Sequence, residues 1–520
     1  MKHVTPAHTR PTLVAFVLLA FLLISGMAAA QDAAPGVLRV GVNTPVVLDP
    51  ALHTNDPETL LVRSVYDYLV EVLPDSTIGA NLATEWTISD DGLNYTFTLR
   101  EGVMFHDGSP FSSADVVYTF TRLQEVTSPA LNLLGEFTVE ASDAQTVVFT
   151  LAAVNADFLY GVAARQAVII KDGTTEPNVI LEGDAPYANF NGTGPFILES
   201  YDPVAGAMLT ANANYWGGAL ALAGVQLVFI DDAVAQVDAL LSGQLDFIFK
   251  TPINQIDRLE GAEGVTVLQR STSQHAVIRL RTDEGRLGED VRVRQAFKYA
   301  TDRDALNDIL LQGRGTVGNN DPIAPVFEFF FQPNPNNQTY DPVRACELLA
   351  EAGVGTIETT LYAPNAFEYP DLAVVLQQQW VATGCINVDV QIREEGYYYD
   401  TSNPDNYFDV DLGITGWGAR PSPQILLREA YVESGIATGF NESRFIDPEL
   451  EALVAEGSVT ADQDARRAIY AQVSTIFAER GPIIIPYFAP LFGATSSAVQ
   501  GIDMAPFPGL TDLRSVSISS

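Results

Sequence analysis

Apolar and polar residues alternate with a period of two in some stretches of this chain. In others they fall into helical periods bounded by caps. Tyr95, Phe97 and Leu99 alternate with Thr96, Thr98 and Arg100, as in a half-buried strand, and Asp91 with Gly92 supplies a hairpin turn before them. A second turn at Asp107 and Gly108 leads to Ser112 and Ser113. Either serine can cap a helix through Phe120, with Asp115 in its first turn. Ile386, Val388, Val390 and Ile392 place one face of a strand on a core. Two helices start at Asp followed by Pro, at Asp341 and Asp447, and are expected to stop at Gly353 and Gly457. Thr301 with Asp304 starts another, which Gly313 ends. Interleaved strands and helices predict an α/β protein with mixed sheets and no internal repeat.

The 520 residues suit two to four structural units of about 150 residues each. The net charge of −37 argues against a nucleic-acid partner, which needs a basic surface. Only four of the 28 basic residues are Lys, and the acidic surface itself says nothing about fold. The N-terminus carries an export address: Lys2 and Arg10, an apolar run over residues 13–24, and Ala28, Ala29 and Ala30 before an expected cleavage at Gln31. Residues 13–30 would alternatively span a membrane as an uncleaved anchor. No Cys lies near the cleavage point, so no lipoprotein anchor is expected. The apolar run over residues 482–499 is interrupted by Pro482, Pro486 and Pro490 and reads as a core strand plus loop. Cys346 and Cys385 either form a disulfide closing a loop of about 40 residues, worth ~3–4 kcal/mol, or are two buried thiols.

Catalytic and cofactor motifs are absent or out of place. Gly313, Gly315 and Gly318 match a dinucleotide-loop pattern but follow a helix instead of a strand. His53, His106 and His275 have no zinc spacing, and the loop beginning at Asp409 puts Arg420 where calcium would need Glu. No G-x-S-x-G element is present. Neither enzyme, metal nor cofactor is expected. The strongest site candidate is the segment 416–423, where a strand over residues 408–414 gives way to Gly416, Trp417, Gly418 and Arg420. A helix then starts at Ser422 and Pro423. The competing reading is a Trp packed on glycine backbone with Arg420 in a surface ion pair. Tyr398, within the run 397–399, either stacks on a ligand or belongs to a core. Glu368 lies in a loop after the strand over residues 358–362.

Several longer strings carry a resemblance. Residues 93–111 read L-N-Y-T-F-T-L-R-E-G-V-M-F-H-D-G-S-P-F, residues 191–196 N-G-T-G-P-F, and residues 215–217 Y-W-G. V-R-Q-A follows at 293–296, Y-D-P-V-R-A-C at 340–346 and I-T-G-W at 414–417. Their wording, order and spacing resemble family 5 extracellular solute-binding proteins, the receptors of peptide- and nickel-type ABC importers. The resemblance implies a two-lobed, type II periplasmic-binding-protein fold with an extra subdomain in lobe I. Lobe I would comprise residues 37–56, 184–270 and 485–520, the subdomain 57–183 and lobe II 271–484. It implies an exported monomer on the outer side of the cytoplasmic membrane. The monomer would take a small-molecule or peptide ligand into the interlobe cleft and deliver it to membrane permease subunits. By the same resemblance Arg279 lies near a crossing between lobes, Arg165 comes from the subdomain, and His53 follows an L-D-P loop beside the cleft. Many peptide-binding members carry Asp at the position of Arg420, where it pairs with the ligand's α-amino group. A guanidinium there suits a carboxylate or phosphate, so a solute with an anionic group is expected: a peptide bound through its carboxylate, an opine-like conjugate, or a phosphorylated or acidic sugar. The alternative is an oligosaccharide or a metal chelate of the nickel type.

Overall fold

The computed structural model describes residues 36–74, 77–175, 189–333 and 339–519. The expected signal segment, the boundary at 183–184 and most of the Pro- and Asn-rich residues 332–338 lie outside the described residues. Two large sheets dominate. The first runs Val265–Arg270, Leu491–Ser496, Phe247–Ile248, Val37–Val42, Gly224–Phe229, Gly206–Ala211 and Phe196–Asp202. The second runs Thr316–Val317, Tyr487–Phe488, His275–Leu280, Leu412–Trp417, Ile357–Pro364 and Ile386–Arg393, with Ile483–Ile484 also paired to His275–Leu280. A four-stranded antiparallel sheet, Ala83–Ile88, Asn94–Leu99, Thr146–Leu151 and Phe137–Asp143, forms the subdomain.

Each sheet has its own core. Leu38, Val40 and Leu227 lie in the first, Phe97, Phe120 and Phe149 in the subdomain, and Ile278, Leu361 and Trp380 in the second. The subdomain is fastened to the first lobe by apolar continuity, since Tyr68, Val168 and Ile170 belong to the first lobe's core. Asp67 adds a polar rivet: its buried carboxylate accepts from Thr193 (3.0 Å), Trp216 (2.8 Å) and Tyr215 (3.3 Å). In the second lobe a disulfide joins Cys346, on helix Pro342–Glu351, to Cys385, just before edge strand Ile386–Arg393.

The helix starts follow the caps. Ser112 and Asp115 form a reciprocal capping box, and Asp341 and Asp447 accept from first-turn backbone N–H groups. Two expectations need correction. Asp302, not Thr301, caps helix Arg303–Leu311, because the Thr301 hydroxyl is buried between Phe297 O and the Trp380 indole N–H. Gly457 does not end its helix, which continues to Val459. It lies inside because a Cβ there would meet Gln424 Oε1 at 2.8 Å.

The prolines at 482, 486 and 490 divide one apolar run into strands of two different sheets. Ile483–Ile484 and Tyr487–Phe488 pair in the second sheet, and Leu491–Ser496 pairs in the first. The chain therefore passes from the first sheet to the second at residues 271–274 and returns at 489–490, so pairing in the second sheet runs past the expected boundary at 485. The two passages are bonded to each other: Thr272 Oγ1 donates to Ala489 O (2.7 Å) and Ala489 N to Gln274 O (2.8 Å).

Candidate functional site

The register of the strands fixes where a solute can meet both lobes. In the second sheet His275, the first residue after the passage, lies opposite Trp417, the last residue of Leu412–Trp417. Ile357–Pro364 and Ile386–Arg393 run parallel to Leu412–Trp417, so all three strands end at the edge that receives the passages. In the first sheet Leu491–Ser496 starts from the return passage and runs antiparallel to Phe247–Ile248. That strand is in turn parallel to Val37–Val42 and Gly224–Phe229. Those three also end towards the passages. Carboxyl ends of parallel strands thus border the hinge from both sides, the usual place for a ligand crevice in α/β sheets.

On the second lobe the edge is lined by the loops after these strands. Trp417 is only 7 % exposed and is the final strand residue; the strand starts at Leu412, not 408, so the indole is anchored, not displayed on a loop. Its ring lies 5.8 Å from that of Phe440, and the Arg420 guanidinium stands 5.6 Å from the Trp417 centroid, a cation–π distance. The Arg420 side chain keeps 32 % of its surface exposed and has Glu429 at 3.6 Å. Its backbone is pinned to the passage: Arg420 N donates to Ser273 Oγ (2.9 Å), and that hydroxyl donates to Arg420 O (3.2 Å). The segment thus presents a packed Trp and a partly exposed, ion-paired cation. Gly416 serves the neighbouring loop, because a Cβ there would collide with the Tyr369 hydroxyl. Tyr369 in turn packs beside Phe367, which is 72 % exposed and held at φ 52°. Gly418 is open to solvent next to Arg420. On the first lobe the loop after Val37–Val42 exposes Val46, Val47 and Leu52. A cavity of about 300 Å3 lies against the passages, between Gln269 and Arg270 on one side and Thr316, Pro325 and Phe488 on the other.

Residues 77–437 match the family described as bacterial extracellular solute-binding proteins, family 5. The chain belongs to that family. Heme-binding protein A of Haemophilus influenzae is 27 % identical over 475 residues, covering 86 % of this chain and 85 % of its own. Di/tripeptide-binding protein 1 of Pseudomonas aeruginosa is 26 % identical over 98 % of this chain and 99 % of its own. The structure of HbpA2 from Haemophilus parasuis superposes with a TM-score of 0.82 at 26 % identity, covering 93 % of this chain and all of that one. The architecture is accordingly the two-lobed, type II fold with an extra subdomain. No helix among the described residues is long and apolar enough to cross a membrane.

Within this family member, several expected site residues turn out to be interior. Tyr398 is fully buried, its hydroxyl donating to Tyr362 O, whereas Tyr397 and Tyr399 on either side are exposed. Successive residues of the short helix Glu395–Tyr398 point in different directions, so only one of the three rings can enter the core. His53 is buried, with Nδ1 at 2.9 Å from Pro50 O, and burial lowers its pKa to about 4. Arg165 donates to Thr54 O and has Asp56 at 3.8 Å, so it braces the 53–56 turn of the first lobe. Glu368 accepts from the buried Tyr487 hydroxyl at 2.9 Å. Four exposed apolar side chains, Phe367, Phe440, Val46 and Val47, were not singled out from the sequence.

Arg279, opposite Gly413 on the neighbouring strand, is buried. Its Nη1 donates to Val410 O (2.8 Å), and its Nε lies 3.5 Å from Glu442 Oε2. Burial raises the Glu442 carboxyl from its ordinary 4.5 to about 7, against the opposing pull of Arg279 and the Thr415 hydroxyl. The folded protein thus holds this proton to higher pH than the unfolded chain. The associated stability is present below about pH 4.5 and is lost as pH rises through 7. Thermal melts of wild type and Glu442→Gln across this window should show a shallower decline in the variant. Parallel profiles would mean that Glu442 is ionised throughout.

Proposed function

We propose that this chain is the exported receptor of an ABC importer and captures a peptide bearing a free carboxylate in its interlobe crevice. Lobe I would comprise residues 37–56 and 184–270 with the C-terminal segment, the subdomain 57–183, and lobe II the intervening chain from 271. The reading rests above all on Arg420. It is an accessible guanidinium standing over Trp417, tied by its backbone to the hinge passage. Its planar fork suits a carboxylate, and the indole supplies contact area. Solute docks on one lobe, the passages bend, and the other lobe closes over it, excluding most water. The closed monomer is then recognised by permease subunits in the membrane. Residues 1–30 would direct export and be removed, without a lipid-modified cysteine. Relatives named as dipeptide- and di/tripeptide-binding proteins, matched over more than nine-tenths of this chain, favour peptides over oligosaccharides or metal chelates.

The test is native mass spectrometry of the gently purified protein, followed by a thermal-shift panel. The panel pairs each di- or tripeptide with its C-terminal amide and adds sugars and nickel chelates. Peptides with free carboxylates are expected to stabilise the protein, by about 2.7 kcal/mol at a hundredfold excess over Kd. Their amides should do so much less. Stabilisation by sugars or chelates alone would overturn the proposal.

A further inference from the structure

The subdomain and the second lobe meet through charge, not through a shared apolar core. Among the described residues, no cluster of buried apolar side chains joins the subdomain's Phe97, Phe149 and Phe158 to the second lobe. Instead Asp157, from the subdomain loop before helix Phe158–Val162, reaches across. Its Oδ1 accepts from Arg466 Nη2 at 2.8 Å and from Ser422 Oγ at 3.1 Å. Both side chains of the ion pair are almost wholly buried. The Arg466 guanidinium is also flanked by the rings of Phe330 and Tyr470. Next to the pair, Ala156 N donates to Ser458 O (2.9 Å), and Arg428 Nη2 donates to Asn132 O (2.6 Å).

Ser422 connects this contact to the crevice. It caps helix Pro423–Ala430 and ends the loop that carries Arg420. The loop is therefore held at two points: to the hinge passage through Ser273, and to the subdomain through Asp157. We propose that Asp157 is a positioning residue for solute capture. It would act as a reversible interlobe latch, pairing with Arg466 on closure and setting the loop that bears Trp417 and Arg420. The proposal rests on the two-lobed closure described above, but not on the class of solute. A polar latch suits a lobe that must reopen. The attraction inside the closed interface is largely offset by the hydration both charges regain when it opens, so neither state is locked. An apolar seam of the same size would favour closure alone.

The test reads the interlobe distance in the full, solute-free chain, so it does not depend on knowing the solute. Nitroxide labels at the exposed Val204, on the first lobe, and Val343, on the second, report closure by pulsed dipolar spectroscopy. The wild type should show a short-distance population. Asp157→Asn, which keeps shape and removes charge, should shift the closed-to-open ratio at least tenfold towards open. Arg466→Gln should do the same, and the exchanged pair Asp157→Arg with Arg466→Asp should recover part of the short component. Circular dichroism and the melting of each variant separate loss of latching from loss of folding. If Arg466→Gln fails to fold, Asp157→Asn alone decides. Unchanged distances in Asp157→Asn, or a wild type with no short population, would overturn the latch while leaving the binding test above unaffected.

Discussion

Replacing Arg420 by Asp should weaken a peptide with a free carboxylate by about 2–5 kcal/mol, the cost of leaving one partner of a desolvated charge pair unmatched. Arg420 is a third exposed and has Glu429 at 3.6 Å. A bound carboxylate must compete with that neighbour, which argues for the lower half of the range. Arg420→Lys keeps the charge but loses the planar fork and the stacking on Trp417, so it should fall between wild type and Asp. Titration calorimetry with a dipeptide and its C-terminal amide isolates the term. Wild type should prefer the acid and Arg420→Asp should not. Equal affinities for acid and amide in the wild type would remove Arg420 from the recognition of carboxylates.

The second large effect concerns stability. Cys346 and Cys385 are 39 residues apart in sequence. A link of that span restricts the unfolded chain by about 4 kcal/mol in the chain-entropy description. The bond holds helix Pro342–Glu351 against the start of the edge strand Ile386–Arg393, so the loss should fall on the second lobe. Replacing both cysteines by Ser should move the lobe's urea transition to a lower midpoint, while the subdomain's transition stays in place. A multi-lobed chain need not unfold in one step, so tryptophans in separate lobes should be followed individually. Coincident urea transitions for wild type and double variant would show that the unfolded chain gains nothing from the bond.

The parts of this architecture that could be read from the chain are those fixed by local chemistry. Asp341 and Asp447, each before Pro, set helix starts because one side chain satisfies backbone donors while the ring pre-sets the first turn. Pro482, Pro486 and Pro490 likewise marked where one apolar run must break. Burial is a tertiary matter, and there local reading fell short. Trp417 reads equally as a displayed ring or a packed one until Phe440 is known to lie beside it. Tyr398 reads the same as Tyr397 and Tyr399 until the short helix selects which ring faces inward. Asp157 and Arg466 are 309 residues apart, and neither has a sequence context that distinguishes it from other charges in so acidic a chain.

The paired passages at residues 271–274 and 489–490 make the second lobe a single uninterrupted excursion of the chain that leaves and re-enters the first at one place. Its two ends are hydrogen-bonded neighbours, so topologically it is a cassette with a common attachment point. Trp417, Arg420 and the loop between them all belong to that cassette. The second lobe, with the Trp417–Arg420 loop, is therefore one contiguous stretch that can be lengthened, trimmed or exchanged without cutting the first lobe's chain anywhere else.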